Sequence, residues 1–205
     1  MFITFEGPDG SGKTTQISLL ADFLRRQGYS VITTREPGGT EIGDQIRSCL
    51  HDVRNANMTP TAEILLYSAS RAQLVQETIL PALQGGAFVI CDRFADSTIA
   101  YQGYGRGLDL EALTYITRFA TGDLRPDLTF LLDMDVEAGI NRRAVGGDEM
   151  NRMDLQEASF HRRVRQGYLQ LVAEQPARWV VVDADRAVDD VQATIRREMH
   201  RHLSG

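Results

Sequence analysis

The chain has 205 residues, of which 42% are hydrophobic, and a formal net charge of -6 at pH 7. This length suits one domain with a substantial buried core, and we predict a single domain over residues 1–205. The acidic balance argues against a nucleic-acid partner, because no basic stripe would outweigh it over a long contact. No apolar run approaches the length of a membrane span, which argues against a membrane protein.

The N-terminus and the two cysteines, Cys49 and Cys91, bear on the cellular compartment. Met1 leads directly into a strand-like run, so we expect no signal or transit peptide. Without an export signal, free thiols are expected rather than a disulfide. The sequence therefore predicts a cytoplasmic location.

Short apolar runs alternate with helical stretches along the chain. The predicted strands are residues 2–5, 31–34, 87–91, 128–132 and 179–182. Five such strands joined by long helical crossovers predict a three-layer α/β fold, with a five-stranded parallel sheet and helices on both faces. Ligands in such folds bind at the carboxyl ends of the strands, so the residues that follow each strand are the candidates for a site.

Lys13 is the only lysine among 22 basic residues, and it lies in the segment after the first strand. Residues 7–14, GPDGSGKT, fit the phosphate-binding pattern Gly-x4-Gly-Lys-[Ser/Thr]. A strand-like run precedes the pattern and an amphipathic helix follows it, as the motif requires. A glycine-rich turn before a helix is the alternative interpretation. We predict a P-loop NTPase fold that binds a nucleoside triphosphate.

The chemistry of a polyphosphate explains why this loop has these residues. Glycines free backbone N–H groups to wrap the phosphates, and the following helix adds its positive end. A flexible ammonium reaches β- and γ-phosphate oxygens through the loop, while the hydroxyl of Thr14 is a candidate Mg²⁺ ligand. The predicted ATP-binding residues are Gly7, Pro8, Asp9, Gly10, Ser11, Gly12, Lys13, Thr14 and Thr15.

Polar residues also follow the second and third predicted strands. Asp92 and Arg93 come directly after the third strand. A carboxylate there suits Mg²⁺ held through water, and an arginine suits a phosphate gripped by two hydrogen bonds. An ordinary ion pair or a helix cap is the alternative. Residues 35–40, REPGGT, follow the second strand and form either a pocket rim or a plain turn.

An aromatic ring and a guanidinium lie on one face of a predicted helix, because Tyr67 and Arg71 are four residues apart. The tyrosine ring would stack on a planar base, and the guanidinium would donate a hydrogen bond to that base. The alternative is that Tyr67 is an ordinary residue of the hydrophobic core. Residues 97–102, STIAYQ, add further polar groups. These elements together predict a second ligand that is small, planar and phosphorylated.

A polar, glycine-bearing stretch lies at residues 144–152, between two helical segments. Arg142 and Arg143 precede this stretch, and Arg152 ends it. The stretch is either a surface loop with solvated charges or a mobile lid of about residues 142–153. A kinase favours the lid, since phosphoryl transfer needs positive charge and exclusion of water in the closed state.

The motifs in combination resemble those of the thymidylate kinases, of the bacterial type within the P-loop nucleoside monophosphate kinases. The matching segments are FEGPDGSGKTTQ at 5–16, TREPGGT at 34–40, Tyr67 to RAQ at 71–73, DRF at 92–94, Ser97 and AYQ at 100–102, with Arg152 in the lid. The resemblance runs nearly from end to end. It implies transfer of the γ-phosphoryl group of ATP to dTMP, giving dTDP in dTTP synthesis, by a homodimer that uses Mg²⁺.

The resemblance also implies roles for individual residues. Arg93 would hold the acceptor phosphate, and Asp9 would lie near the sugar 3'-hydroxyl and the metal. Tyr67 would stack on thymine and Arg71 would bond to its O4. Tyr101 would crowd the 2' position and so favour deoxyribose.

The complete set of implied site residues falls into three groups. The dTMP-binding residues are Asp9, Glu36, Pro37, Tyr67, Arg71, Arg93, Ser97, Thr98, Tyr101 and Gln102, with Thr98 approaching N3 of the base. The catalytic residues are Asp9, Lys13, Arg93, Arg142, Arg143 and Arg152. The metal ligands are Thr14 and Asp92.

Gly10 stands where some members of the family carry a catalytic arginine in the loop. This difference implies the bacterial arrangement, in which the lid arginines supply that charge. The sequence departs from the usual pattern with Tyr67 for phenylalanine, Ser70 for aspartate and Phe94 for tyrosine. The lid also has NRMD at residues 151–154, where an acidic residue often precedes the arginine.

Other functions stay open from the sequence. A kinase of the same fold acting on dUMP, another nucleoside monophosphate or an unphosphorylated deoxynucleoside is the nearest alternative. A GTPase is excluded, because its guanine-reading motif needs a lysine and Lys13 is already in the loop. A non-catalytic nucleotide-binding adaptor is the alternative from a different class.

Overall fold

The computed structural model describes residues 1–145, 152–153 and 155–204. Strands and helices alternate along these residues. The strands are β1 (Phe2–Glu6), β2 (Val31–Arg35), β3 (Phe88–Asp92), β4 (Leu128–Asp133) and β5 (Trp179–Asp183). The helices are α1 (Lys13–Arg26), α2 (Glu41–His51), α3 (Pro60–Leu74), α4 (Leu80–Gln84), α5 (Ala95–Thr98), α6 (Leu110–Thr121), α7 (Val136–Val145), α8 (Ala158–Glu174) and α9 (Val188–Ser204). A π-helical segment, Val75–Ile79, joins α3 to α4, and another, Ile99–Gly105, follows α5.

Local sequence signals set the starts of the helices that frame the site. Thr40 caps α2 by accepting a hydrogen bond from the backbone of Gly43. Thr59 caps α3 in the same way, and Pro60 follows it at the first helical turn, where proline is favoured. The side chain of Asp109 caps α6.

The five strands form one sheet in the order β2-β3-β1-β4-β5, and every neighbouring pair is parallel. Each predicted strand is confirmed to within one residue at either end. The predicted three-layer α/β class with a five-stranded parallel sheet is therefore confirmed.

Successive side chains of β1 point to opposite faces of the sheet and contribute to the hydrophobic core on each face. Ile3 and Phe5 point to one face, where they pack in a cluster with residues of α1 and α9. Phe2 points to the other face, beneath the π-helical segment after α3. Because both faces are covered, the strands are buried on both sides and carry apolar residues almost continuously.

The strand register brings the carboxyl ends of the central strands together. Phe5 of β1 pairs with Asp92 of β3, and Glu6 pairs with Leu131 of β4. Arg35, at the end of β2, also pairs with Asp92. The loop after β1 and the residues after β3 consequently meet at one edge of the sheet, where parallel α/β folds bind ligands.

Among the described residues, no helix combines the length and the apolar character that crossing a membrane would require. Half of the predicted lid, residues 146–151, lies outside the described residues. The single-domain organisation stays a prediction.

Candidate active site

The phosphate loop connects β1 to α1, and glycines permit its tight path. Gly7 has a φ of +131°, and a Cβ there would lie 2.4 Å from the carbonyl oxygen of Leu132. Gly12 precedes α1 in a left-handed conformation, with a φ of 86°. These positions favour glycine sterically and conformationally, and the loop ends at the N-terminus of a 14-residue helix.

Lys13 is buried at the base of this loop. Its Nζ donates to the carbonyl oxygens of Pro8, at 2.9 Å, and Gly7, at 3.2 Å. Burial, together with the positive charge of Arg93, lowers the pKa of Lys13 from 10.5 to about 8. A phosphate near this ammonium would favour its charged form.

Thr14 and Asp92 meet beside the loop, as a shared Mg²⁺ site requires. Thr14 Oγ1 donates to Asp92 Oδ2 at 3.3 Å. Asp92 Oδ1 is buried and has no hydrogen-bond partner among the described residues. No group of three or more His, Cys, Asp or Glu suited to a metal occurs in that part of the chain. A hydroxyl and one carboxylate nevertheless fit Mg²⁺, which takes few protein ligands when it is bound with nucleotide phosphates.

Arg93 lies at the centre of the site in a left-handed backbone conformation, with a φ of 67°. Its Nη2 donates to Asp9 Oδ1 at 2.9 Å, and its Nη1 donates to Tyr168 Oη at 3.1 Å and Ser97 Oγ at 3.3 Å. The guanidinium carbon lies 5.0 Å from the ring centroid of Tyr101. A non-glycine residue held in this conformation is typical of a functional site.

Glu6 is a residue of this site that sequence reasoning did not select. Its completely buried carboxylate accepts hydrogen bonds from Phe94 N, Ser97 Oγ and Tyr168 Oη at 2.8, 2.6 and 2.8 Å. Burial, and then the charge of Asp96, raises the pKa of Glu6 from 4.5 to about 7. The sequence did contain a feature that could have identified Glu6. It is a carboxylate at the end of an otherwise apolar strand, just before the phosphate loop.

Arg71 is almost fully buried and is oriented by four polar contacts. Its Nη2 lies 2.5 Å from Glu36 Oε2, and its Nε donates to the same carboxylate. Nη2 also donates to Phe94 O, and Nη1 donates to Thr98 Oγ1 at 3.0 Å. These bonds occupy four of the five N–H groups of a guanidinium, so one N–H of Nη1 is left for a ligand.

A cavity of about 450 Å³ joins these groups. All ten predicted dTMP-binding residues line it, as do Lys13, Thr14, Thr15, Asp92 and Arg142. Gly7, Pro8 and Ser11 do not line it and belong to the loop behind its wall. Arg35, from the predicted rim segment, and Met153, from the predicted lid, also line the cavity, and sequence reasoning did not select Arg47 and His51. Of these, Arg47 donates to the carbonyl of Pro37 at 2.9 Å and so supports the rim.

Two of the predicted lid arginines have different surroundings. Arg142 lines the cavity and donates to Ala184 O and Asp185 Oδ1, both at 3.0 Å. Arg152 is buried, with its Nη2 2.5 Å from Glu63 Oε2 and its Nε donating to Leu50 O. The side chain of Arg143 lies outside the described residues.

Glu63 is a second residue that sequence reasoning missed. It is fully buried and accepts hydrogen bonds from Gln102 Nε2 at 2.8 Å and from Arg106 Nε at 2.8 Å. Burial and the charge of Glu63 raise the pKa of Tyr67 to about 12, which keeps the phenol neutral. The signal was present, since Glu63, Tyr67 and Arg71 follow one another at four-residue spacing on α3.

The site thus places a phosphate loop, an acidic and hydroxyl pair suited to a metal, and a second set of cationic and aromatic groups around one cavity. These groups are of the kinds that a triphosphate donor and a phosphorylated acceptor require. The fold and the site therefore define a P-loop phosphotransferase.

The family model for thymidylate kinase matches residues 5–195, and the chain belongs to the thymidylate kinase family. The curated thymidylate kinase of Roseiflexus sp. (strain RS-1) is 51% identical over 100% of this chain and 95% of its own length. That of Geotalea uraniireducens (strain Rf4) is 51% identical over 95% of this chain and 93% of its own length. The crystal structure of thymidylate kinase from Ehrlichia chaffeensis superposes with a TM-score of 0.78 at 35% identity, and covers 97% of this chain and 98% of the other.

We expect the affinity for ADP, measured without divalent metal, to weaken above pH 8 because the Lys13 ammonium has a pKa of about 8. The charged form binds phosphate, so the affinity should change little between about pH 7, where the terminal phosphate is ionised, and pH 8, and should fall by up to about tenfold per pH unit above it. Calorimetric titration at several pH values checks this expectation. Lys13→Arg should bind more weakly but without this pH dependence, since guanidinium does not titrate there. Wild-type affinity that stays constant to about pH 10 would contradict the assignment.

Proposed function

We propose that the chain transfers the γ-phosphoryl group of ATP to dTMP, giving dTDP and ADP. The observation that carries the proposal is one cavity in which the phosphate loop faces Arg93 and the Tyr67 and Arg71 pair. Membership of the thymidylate kinase family supports the same reaction. Neither a different acceptor nor a non-catalytic adaptor is favoured by that membership.

On the donor side, backbone N–H groups of residues 7–15 would surround the β- and γ-phosphates, and Lys13 would contact them. Thr14 Oγ1 and Asp92 would hold Mg²⁺, which when bound neutralises charge on the β- and γ-phosphates. Burial of Lys13 strengthens its interaction with phosphate, because little water screens it.

On the acceptor side, Arg93 would hold the phosphate of dTMP, and Asp9 would keep the guanidinium in place until the phosphate arrives. The remaining N–H of Arg71 Nη1 would donate to O4 of thymine. Tyr67 would stack on the base and Tyr101 would crowd the 2' position. Glu36, Pro37, Ser97, Thr98 and Gln102 would complete the acceptor wall.

The reaction needs positioning and charge more than covalent help from the protein. Phosphoryl transfer proceeds in line through a loose transition state, whose equatorial oxygens carry the charge. A phosphate monoester is already a competent nucleophile near neutral pH, so no general base is required. Arg142, Arg143 and Arg152 are the candidates to contact the transferred group, and Arg142 lines the cavity.

We also propose that the enzyme is a homodimer and acts in the cytoplasm, where ATP and dTMP are found. Two aromatic side chains on α6, Tyr115 and Phe119, are 74% and 85% exposed and share a face. Leu65 of α3, the helix packed against α6, is 53% exposed. A patch of this kind suits an isologous contact with a second copy.

Purified enzyme with Mg-ATP should release ADP fastest with dTMP in a panel that also contains dUMP, UMP, dCMP, AMP and thymidine.

Arg93→Ala should lower kcat/KM for dTMP by about 10²-fold or more, because the acceptor phosphate loses its clamp. The affinity for ATP should stay near the wild-type value. Arg201→Ala, at an exposed ion pair on α9, is the matched control. Loss of ATP affinity with dTMP affinity retained would invert the site assignment, and turnover led by another acceptor would refute the proposed substrate.

Tyr101→Ala should relax the discrimination between dUMP and UMP, which differ only by the 2'-hydroxyl. We expect the ratio of their kcat/KM values to fall by about tenfold, because the ring no longer fills the 2' position. Steady-state kinetics with both nucleotides measures this ratio. Tyr101→Phe retains the ring and should retain the discrimination. An unchanged ratio in the alanine variant would remove this role from Tyr101.

Wild-type enzyme should have twice the mass of the chain in light scattering, and Phe119→Asp should shift it to the mass of the monomer. A charge at Phe119, one of the exposed aromatic side chains, would be buried without a partner in such a dimer. Val188→Asp, at an exposed valine on α9 outside the patch, should leave the mass unchanged. A monomeric wild-type enzyme would refute the homodimer.

A further inference from the structure

Two hydroxyl groups hold one side of the Arg93 guanidinium. Nη1 donates to both Tyr168 Oη and Ser97 Oγ, at 3.1 and 3.3 Å, and these two oxygens are 2.8 Å apart. Nη2 donates to the Asp9 carboxylate on the other side. Because a guanidinium is planar, contacts at both terminal nitrogens fix its plane as well as its position.

Both hydroxyls also contact Glu6. Ser97 Oγ and Tyr168 Oη donate to Glu6 Oε2 at 2.6 and 2.8 Å. The two hydroxyls are also within hydrogen-bond distance of each other, so Glu6 Oε2, Ser97 Oγ and Tyr168 Oη form one connected group. Arg93 has no acceptor atom and therefore donates to both hydroxyl oxygens. Glu6 therefore anchors the two hydroxyl oxygens to which the guanidinium donates.

The other oxygen of Glu6 acts on the backbone next to Arg93. Glu6 Oε1 accepts from Phe94 N at 2.8 Å, immediately after the residue whose φ is 67°. That left-handed conformation is costly for a residue with a side chain and needs support from its surroundings. One carboxylate thus supports both the backbone turn and the side-chain orientation of Arg93.

Glu6 does this from beneath the cavity. Its side chain is fully buried, whereas Arg93 and Ser97 line the cavity wall. Contact between Glu6 and a substrate is therefore not expected, and any effect of Glu6 on the reaction would pass through Arg93 and its neighbours.

We infer that Glu6 is a positioning residue for the acceptor-phosphate clamp, acting on Arg93 through the hydroxyls of Ser97 and Tyr168. The inference rests on the proposed function, in which Arg93 holds the phosphate of dTMP. Glu6 and the phosphate loop are adjacent in sequence but have different roles. Glu6 orients the group that binds the acceptor phosphate, whereas the loop binds ATP.

The test compares two ligands that differ only in the phosphate. Glu6→Gln replaces one acceptor oxygen by an NH₂ donor, so dTMP affinity should fall by about tenfold while thymidine affinity stays within about twofold of wild type. Tyr168→Phe removes one of the two connecting hydroxyls and should weaken dTMP binding in the same selective way. The Tyr168→Phe variant keeps the aromatic ring in the core, so it tests the same inference if Glu6→Gln fails to fold. Asp127→Asn, which changes the carboxylate bonded to the other end of β1, is the matched control and should leave both affinities unchanged.

A double-mutant cycle shows whether the effect passes through Arg93. In the Arg93→Ala background, Glu6→Gln should change dTMP affinity by less than about twofold, because the group that it positions is gone. Equal losses for dTMP and thymidine, or full additivity with Arg93→Ala, would overturn the inference and leave the proposed function intact. A wild-type enzyme that fails to phosphorylate dTMP would overturn both.

Discussion

The parallel pairing of β1 with β3 is the constraint on which the rest of the site depends. It sets Phe5 opposite Asp92, so the loop that leaves β1 and the residues that leave β3 emerge side by side. The backbone N–H of Arg93 continues this pairing by donating to Phe5 O at 2.9 Å. A shift of the register would separate Asp9 from Arg93 and Thr14 from Asp92, and with them the donor half of the cavity from the acceptor half.

Charged groups in the site are buried together with their partners, and this makes the cavity preorganised. Arg71 is oriented by Glu36, and Glu63 is paired with two arginines and Gln102. A buried ion costs several kcal/mol unless it is paired and hydrogen-bonded, so such side chains have few alternative positions. Their orientation is fixed in advance of binding, and this lowers the reorganisation needed when a charged substrate arrives.

Two of the departures from the usual family pattern, Ser70 and Phe94, have structural partners that fit this chain. Ser70 Oγ accepts from the backbone N–H of Gly38 at 2.9 Å, so it supports the loop after β2. Phe94 is fully buried, with its ring edge-to-face against Phe2 at a centroid distance of 4.9 Å. A phenylalanine suits that apolar position, because a hydroxyl there would need a buried partner. Tyr67 lines the cavity, where its ring can stack on a base. Its raised pKa keeps the phenol neutral.

The sequence by itself determined the five strands, the parallel α/β class, the phosphate loop and the residues after β3, because periodicity and loop chemistry are encoded within short segments. Family resemblance added the acceptor residues, and the fold brings them to one cavity. Only the tertiary structure decided which polar groups share a partner. Glu6 and Tyr168 are 162 residues apart in sequence and become neighbours only when α8 packs on the sheet. Arg152 likewise lies against Glu63, 89 positions earlier in the chain, because pairings between distant side chains follow from strand order and packing, which no local pattern specifies.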